Sequence, residues 1–372
     1  MADNETWCPL PWIHLYSDVS GIGPCCRSKR LKLHDFDSYL KSTELATLKE
    51  DMVAGRKNEI CKFCHDYGDG MESSVRAQMI EYNKHLITQD ALVNKIMITE
   101  ARFSSVCNFK CRICSERYST AIAKEAGSPT IYRTLNGDLL DSLKAIAHDL
   151  IWVQFSGGEP FLIPEHYEFL QYLKDIGRAN IMKLTYTTNG SVTHYKRQPI
   201  GELLEGFQTV YIAFSIDAYG KQAEYWRHGT VWNELVSNVE YFIGLPHVIT
   251  DFSTTVGWPN LFSAIKAAQF LYDRFGRHTM FNRVFSPNDR LSVEALPLDL
   301  KREAERQLTG LIRGEDHLKD ASVRNIIGLL YNSDKSEQLR DALQEQKRLD
   351  MLRGENFFDV FPEYERMRGL YE

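Results

Sequence analysis

From about residue 95 onward, short runs of alternating apolar and polar residues are each followed by a stretch whose apolar positions fall three and four apart. The alternating runs predict strands over 95–103, 150–155, 182–187, 209–215, 248–256 and 279–285. The stretches between them, including 137–150, 164–176, 231–243 and 261–275, have the spacing of helices with one buried face. Six strand–helix units in series predict an α/β fold with a parallel sheet, and the pattern leaves open whether that sheet is doubly wound or curled toward a barrel. Ahead of the series, PWIHLYSDVSGIGPCC reads as a hairpin, with Trp12, Ile13 and Leu15 alternating before a turn region at 18–23. A helix over 42–54 follows, marked by Leu45, Leu48 and Met52 and stopped by Gly55. Beyond Pro297 the chain reads as helical and highly charged, including 336–353; solvated helical faces are the preferred reading, with partner docking as the alternative.

A chain of 372 residues has room for one large α/β domain and a smaller appendage. Its 43% hydrophobic and 25% charged residues predict that it folds throughout. The net charge of -6, without any long Lys/Arg run, argues against a broad nucleic-acid footprint and leaves at most a local groove for tRNA or peptide. The N-terminal MADNETW is polar and acidic and no apolar run approaches a membrane span, so a soluble cytoplasmic protein without membrane partners is expected.

Cysteine placement changes the picture most. All eight cysteines precede residue 115, at Cys8, Cys25/Cys26, Cys61/Cys64 and Cys107/Cys111/Cys114, which suggests two early cofactor sites. Cys107-Asn-Phe-Lys-Cys111-Arg-Ile-Cys114 directly follows the first strand of the series. Three thiolates on one short loop suit three irons of a cubane and leave the fourth open to a substrate or cofactor. A zinc site is the competing reading, although it normally closes with four ligands.

CNFKCRIC resembles the signature of the radical S-adenosylmethionine (radical SAM) superfamily, which implies a partial (β/α)6 barrel. The resemblance implies that Cys107, Cys111 and Cys114 hold a 4Fe-4S cluster whose open iron is chelated by S-adenosylmethionine. Ile113 stands where the family usually has an aromatic residue, and would wall the adenine. Ser156-Gly157-Gly158-Glu159-Pro160, at the end of the second strand, is similar to the GGE motif that binds the methionine amino group. Two glycines admit a close backbone approach, and a carboxylate beside them suits an ammonium. Ser215 and Asp217 at the fourth strand end, followed by Arg227, resemble a set in which Ser215 and Arg227 would hold the methionine carboxylate and Asp217 would lie near the ribose or substrate. Thr187-Thr188-Asn189-Gly190 is similar to the TNG turn, and Val256 on the fifth strand is a candidate adenine contact or simply a buried valine.

Cys8, Cys25 or Cys26, Cys61 and Cys64 resemble the ligand set of a SPASM/twitch auxiliary module, here ahead of the barrel rather than after it. That implies a second 4Fe-4S cluster, with structural zinc as the alternative and Cys25 preferred over Cys26. The expected organisation is an auxiliary-cluster module over 1–92, the barrel over 93–296 and a helical extension over 297–372. The resemblance runs from Cys8 to about Leu300, including NRVFSP at 282–287. It implies an oxidoreductase or modifying enzyme that cleaves S-adenosylmethionine reductively to a 5'-deoxyadenosyl radical, with an electron donor such as flavodoxin or ferredoxin. Its hydrogen donor would be a peptide or protein side chain, or alternatively a small metabolite. A zinc-binding interaction module is the non-enzymatic alternative.

Overall fold

The computed structural model describes residues 6–18, 20–33, 35–67, 75–83, 95–128, 139–284 and 288–371. Its strands are β1 (His14–Asp18), β2 (Gly21–Gly23), β3 (Ile98–Ala101), β4 (Trp152–Phe155), β5 (Lys183–Thr188), β6 (His194–Tyr195), β7 (Gln198–Pro199), β8 (Thr209–Ser215), β9 (Val248–Val256) and β10 (Thr279–Arg283). Eight of them form one sheet in the order β10-β9-β8-β5-β4-β3-β1-β2, while β6 and β7 make a separate ribbon. The six strands of the strand–helix series are parallel and neighbour one another in chain order. A doubly wound sheet would reverse its order at a switch point. The unbroken progression is that of a barrel that has not closed, as the partial (β/α)6 expectation required.

The strand residues form strands because one face of each is apolar and covered. On β8, Val210, Ile212 and Phe214 are buried while Tyr211, Ala213 and Ser215 are half-buried on the other face. β9 repeats the pattern, with Val248, Thr250, Phe252, Thr254 and Val256 inward. The covering helices include Leu139–Ile146, Pro164–Asp175, Trp232–Ile243 and Leu261–Phe275. Residues 137–138 and Phe285, the ends of two expected elements, lie outside the described residues.

The sequence expectation missed that the N-terminal hairpin belongs to the main sheet. β1 pairs in parallel with β3, His14 opposite Ile98 and Ser17 opposite Ala101, and in antiparallel with β2. Trp12 and Ile13 turn out to be helical, in Leu10–Ile13, and the return strand begins at Gly21 inside the expected turn. The helix Thr43–Val53 is capped by the Ser42 hydroxyl, which accepts from the Leu45 amide, and is followed by Gly55 at φ +71. Leu45, Leu48 and Met52 share one continuous core with Val153, Leu184 and Ile212 of the barrel.

The C-terminal region is helical: Leu298–Thr309, His317–Leu330 and Leu339–Arg353, then short turns to Tyr371. It has a second core, which includes Trp226, Val256, Trp258, Phe357 and Tyr364. Ser322 of the second helix accepts from the Phe281 amide on β10 at 3.0 Å. Among the described residues, no helix is long and apolar enough to cross a membrane.

His166 is buried against Phe155, Phe161 and Tyr186; its Nε2 meets the Tyr186 hydroxyl at 2.8 Å and its Nδ1 has no partner. Burial holds the imidazole down at about 3. With the folded value depressed, the stability it contributes is present above the unfolded value of 6.5 and is lost as pH falls toward 3. At ~1.4 kcal/mol per pKa unit, that loss is roughly 5 kcal/mol. We expect His166→Phe to flatten the fall in stability across this window, measured by urea denaturation at a series of pH values.

Candidate functional site

The C-terminal ends of the parallel strands gather the residues singled out in the sequence, which is where barrels of this kind place their chemistry. The chain leaves β3 through Arg102 to Val106 and enters the cysteine loop. That loop is pinned by backbone bonds from outside itself: the Lys110 amide donates to the His228 carbonyl at 2.7 Å and the Arg112 amide to the Trp226 carbonyl at 2.9 Å. Phe109 is buried beneath Gly229, whose φ is +114 and where a Cβ would meet the Phe109 ring at 2.8 Å. The Ser119 hydroxyl donates to the Phe109 carbonyl and caps the next helix, Thr120–Glu125.

Pairing the loop with 226–229 is what brings Arg227 to the thiols. Arg227 Nη1 donates to Asp217 Oδ2 at 2.7 Å, and its buried Nε has no partner. Desolvation raises all three thiols, Cys107 to about 11 and Cys114 to about 12, while the Arg227 guanidinium pulls each of them down. Cys114 is reachable by water yet sunk in a recess, so accessibility and desolvation coexist there. Three desolvated soft donors beside a buried cation with a free N–H fit an anionic, thiolate-ligated iron–sulfur cluster and a carboxylate near it. Among the described residues, no group of three His, Cys, Asp or Glu side chains closes on a single metal ion.

Beneath Cys107 the β4 exit approaches the loop backbone. Gly157 has φ +114, and a Cβ on Gly158 would stand 2.0 Å from the Val106 carbonyl oxygen. The Glu159 amide donates to that same carbonyl at 2.7 Å. The Glu159 side chain is fully buried and accepts from the Thr188 hydroxyl, the Asn189 amide and the Phe161 amide. Burial pushes its carboxyl up to about 7, against those donors and Arg227. Its oxygens therefore tie the β4 and β5 ends together, and the half-buried backbone of Gly157 and Gly158 runs beside them. Asn189 reaches the loop, its amide nitrogen 2.9 Å from Asn108 Oδ1 and 4.0 Å from Cys107 Sγ.

The other expected positions are distributed as follows. Ser156 donates to Glu100 and accepts from Arg102. Ser215 lies half-buried on the open face of β8, opposite Ser253. Asp217 is 1% exposed, with Oδ1 taking the Thr255 amide and Oδ2 taking Arg227. Ile113 packs against the C-terminal core and its carbonyl accepts from Asn288. Val256 has no exposed surface and belongs to that core. Residues 285–287 of the NRVFSP segment lie outside the described residues.

The N-terminal cysteines divide. Cys8, Cys25, Cys61 and Cys64 line one small cavity with Leu10, Pro24 and Met52. Cys26 is exposed, and the charges that act on its thiol include Glu100 and Arg102 of the β3 end. The sequence reading missed Arg112, Glu125, Asp350 and Glu355, which meet around the cysteine loop. A signal was present: Gln346 and Asp350 continue the spacing of Leu339, Ala342 and Leu343, so polar residues occupy a buried stripe.

Residues 101–256 match the model of the Radical SAM superfamily. The chain thus carries a radical SAM domain in an α/β fold, and it is an enzyme; a domain of this kind works with S-adenosylmethionine and a 4Fe-4S cluster. Among solved structures, it resembles a hexahistidine-tagged anSMEcpe with bound AdoMet at 17% identity over 58% of each chain, TM-score 0.43. It also resembles Streptococcus suis SuiB bound to S-adenosylmethionine, at 14% identity over 67% of this chain and 60% of that one, TM-score 0.41. The chain thus spans less than two thirds of the length of either structure. Compared with curated proteins, it matches none.

Gly158→Ala forces its methyl against the Val106 carbonyl, an overpacking that ordinarily costs about 1–3 kcal/mol. We expect the urea denaturation midpoint of this variant to fall by a corresponding amount. If the N-terminal set holds a second cluster, Cys25→Ser is expected to cost about four irons per chain and Cys26→Ser none, read by iron analysis after anaerobic reconstitution.

Proposed function

We propose that this enzyme holds a 4Fe-4S cluster on Cys107, Cys111 and Cys114, binds S-adenosylmethionine beside it, and abstracts hydrogen from a peptide or protein side chain. The observation that carries this reading is the convergence at one sheet end of three desolvated thiols, the Gly157–Gly158 backbone edge and Arg227 with its unpartnered Nε. When bound, the cluster and the sulfonium cofactor supply a reductive carbon–sulfur cleavage that releases methionine and yields 5'-deoxyadenosine after hydrogen transfer.

The chain's own residues bind and orient. Arg227, fixed by Asp217, offers its Nε–H to the methionine carboxylate; a guanidinium suits this because its donors are coplanar and permanently charged. The backbone edge at Gly157 and Gly158 takes the ammonium, since Glu159 is committed to Thr188, Asn189 and Phe161. Ser215, half-buried on β8, and Ile113 would face the nucleoside.

A peptide or protein substrate is favoured by the twitch-like N-terminal cysteine set and by the open concave face of the sheet, where Gln154, Thr185, Tyr211 and Ser253 stay half-buried. In this reading Cys8, Cys25, Cys61 and Cys64 hold a second 4Fe-4S cluster in a module over 1–92, ahead of a barrel over 93–296 and an extension over 297–372. A flavodoxin- or ferredoxin-like donor provides electrons.

Alanine at any of Cys107, Cys111 or Cys114 should reduce 5'-deoxyadenosine formation to background under anaerobic conditions with reductant, followed by chromatography. Undiminished cleavage in those variants rejects the assignment. Mass spectrometry of candidate peptides after the same incubation tests the substrate class.

A further inference from the structure

The cysteine loop is too short to have a core of its own, so its shape is set by what grips it. Arg112, between Cys111 and Ile113, has a side chain wholly removed from solvent. Its Nη2 donates to Asp350 Oδ1 at 2.6 Å and Glu355 Oε2 at 2.5 Å, its Nη1 to Gln346 Oε1 at 3.0 Å, and its Nε to the Tyr225 carbonyl at 3.3 Å. The guanidinium lies over the Tyr225 ring, 3.6 Å from its centre. Asp350 is itself immobilised, accepting from the Tyr225 and Tyr371 hydroxyls and the Phe357 amide. Glu355 also meets His228, whose carbonyl holds the Lys110 amide.

A second grip comes from the same helix. Arg353 donates from Nε and Nη2 to the two oxygens of Glu125, which also receives Lys110 Nζ at 2.7 Å. The Arg353 side chain is 2% exposed and its Nη1 has no partner.

We propose that the helix Leu339–Arg353 is a working part of the cluster site, with Asp350 acting through Arg112, and Arg353 through Glu125, as positioning residues that fix how Cys111 and Cys114 stand around the cluster. This rests on the reading that the triplet holds that cluster. A buried ionic knot is a poor source of stability, because apolar side chains of equal volume would serve as well; what it specifies is one arrangement. The planar fork of Arg112 spans three acceptors on the C-terminal segment, Gln346, Asp350 and Glu355, and permits little rotation of the backbone between two ligands.

The test uses the full chain, reconstituted anaerobically, as parent, Asp350→Asn and Glu355→Gln. The readouts are the part of the reduced-cluster electron paramagnetic resonance signal that changes on adding S-adenosylmethionine, and the rate at which a ferrous chelator removes it. We expect altered g values and about tenfold faster removal in Asp350→Asn, with a smaller effect of the same kind in Glu355→Gln, since losing one partner of a buried charge leaves the other uncompensated. Glu355 is partly exposed, so that variant keeps its fold and decides the matter should Asp350→Asn not fold. Signals and rates equal to the parent's in the folded variants overturn the proposal alone. A parent with no cluster that Cys107→Ala removes overturns the functional reading, and the positioning role with it.

Discussion

Desolvation of three neighbouring thiols, of which Cys111 is buried and Cys114 still meets water, is the constraint to which the site answers. Burial raises Cys107, Cys111 and Cys114 together, so ionising them requires positive charge delivered at short range into a recess. Arg227 is carried there by the segment that follows the helix Lys221–Trp226, and its fixed geometry comes from Asp217 at the β8 end. Asp217 is anchored in turn by the Thr255 amide on β9. One electrostatic demand at the end of the first barrel strand is thus met by side chains that follow the fourth strand, held by a backbone amide of the fifth.

The same economy explains Glu159. A carboxylate that receives three donors while buried joins two strand ends and places the Gly157–Gly158 edge against Val106. The glycines are required there by distance: any side chain on Gly158 would occupy the Val106 carbonyl. Close backbone approach and structural support by carboxylate are therefore divided between adjacent residues of one motif.

The sequence made the series of strands legible because each strand has one apolar face, and β8 and β9 run where the alternation places them. It made the triplet legible because ligand spacing is local. What it hid depends on contacts across long stretches of chain. β1 is buried on every residue, so its alternation carried no trace of its seat beside β3, about 84 residues further on. Asp350 and Glu355 sit in a segment so rich in charge that a solvated face was the natural reading; the stripe shared with Leu339, Ala342 and Leu343 hinted that Asp350 is buried, but not that its partner is Arg112. The division of labour between Cys25 and Cys26 was equally hidden, since adjacent residues of identical chemistry separate only once the backbone sends them to different sides.

An unclosed barrel has two borders, and the chain deals with each. At one, Leu31 bridges to Ile22, so a third segment lies along the short β2. At the other, Ser322 occupies the Phe281 amide, a donor that would otherwise be free to template a strand from another molecule. Each rim of the sheet is therefore partly covered, and the C-terminal helices shield an edge from strand pairing as well as supporting the cysteine loop.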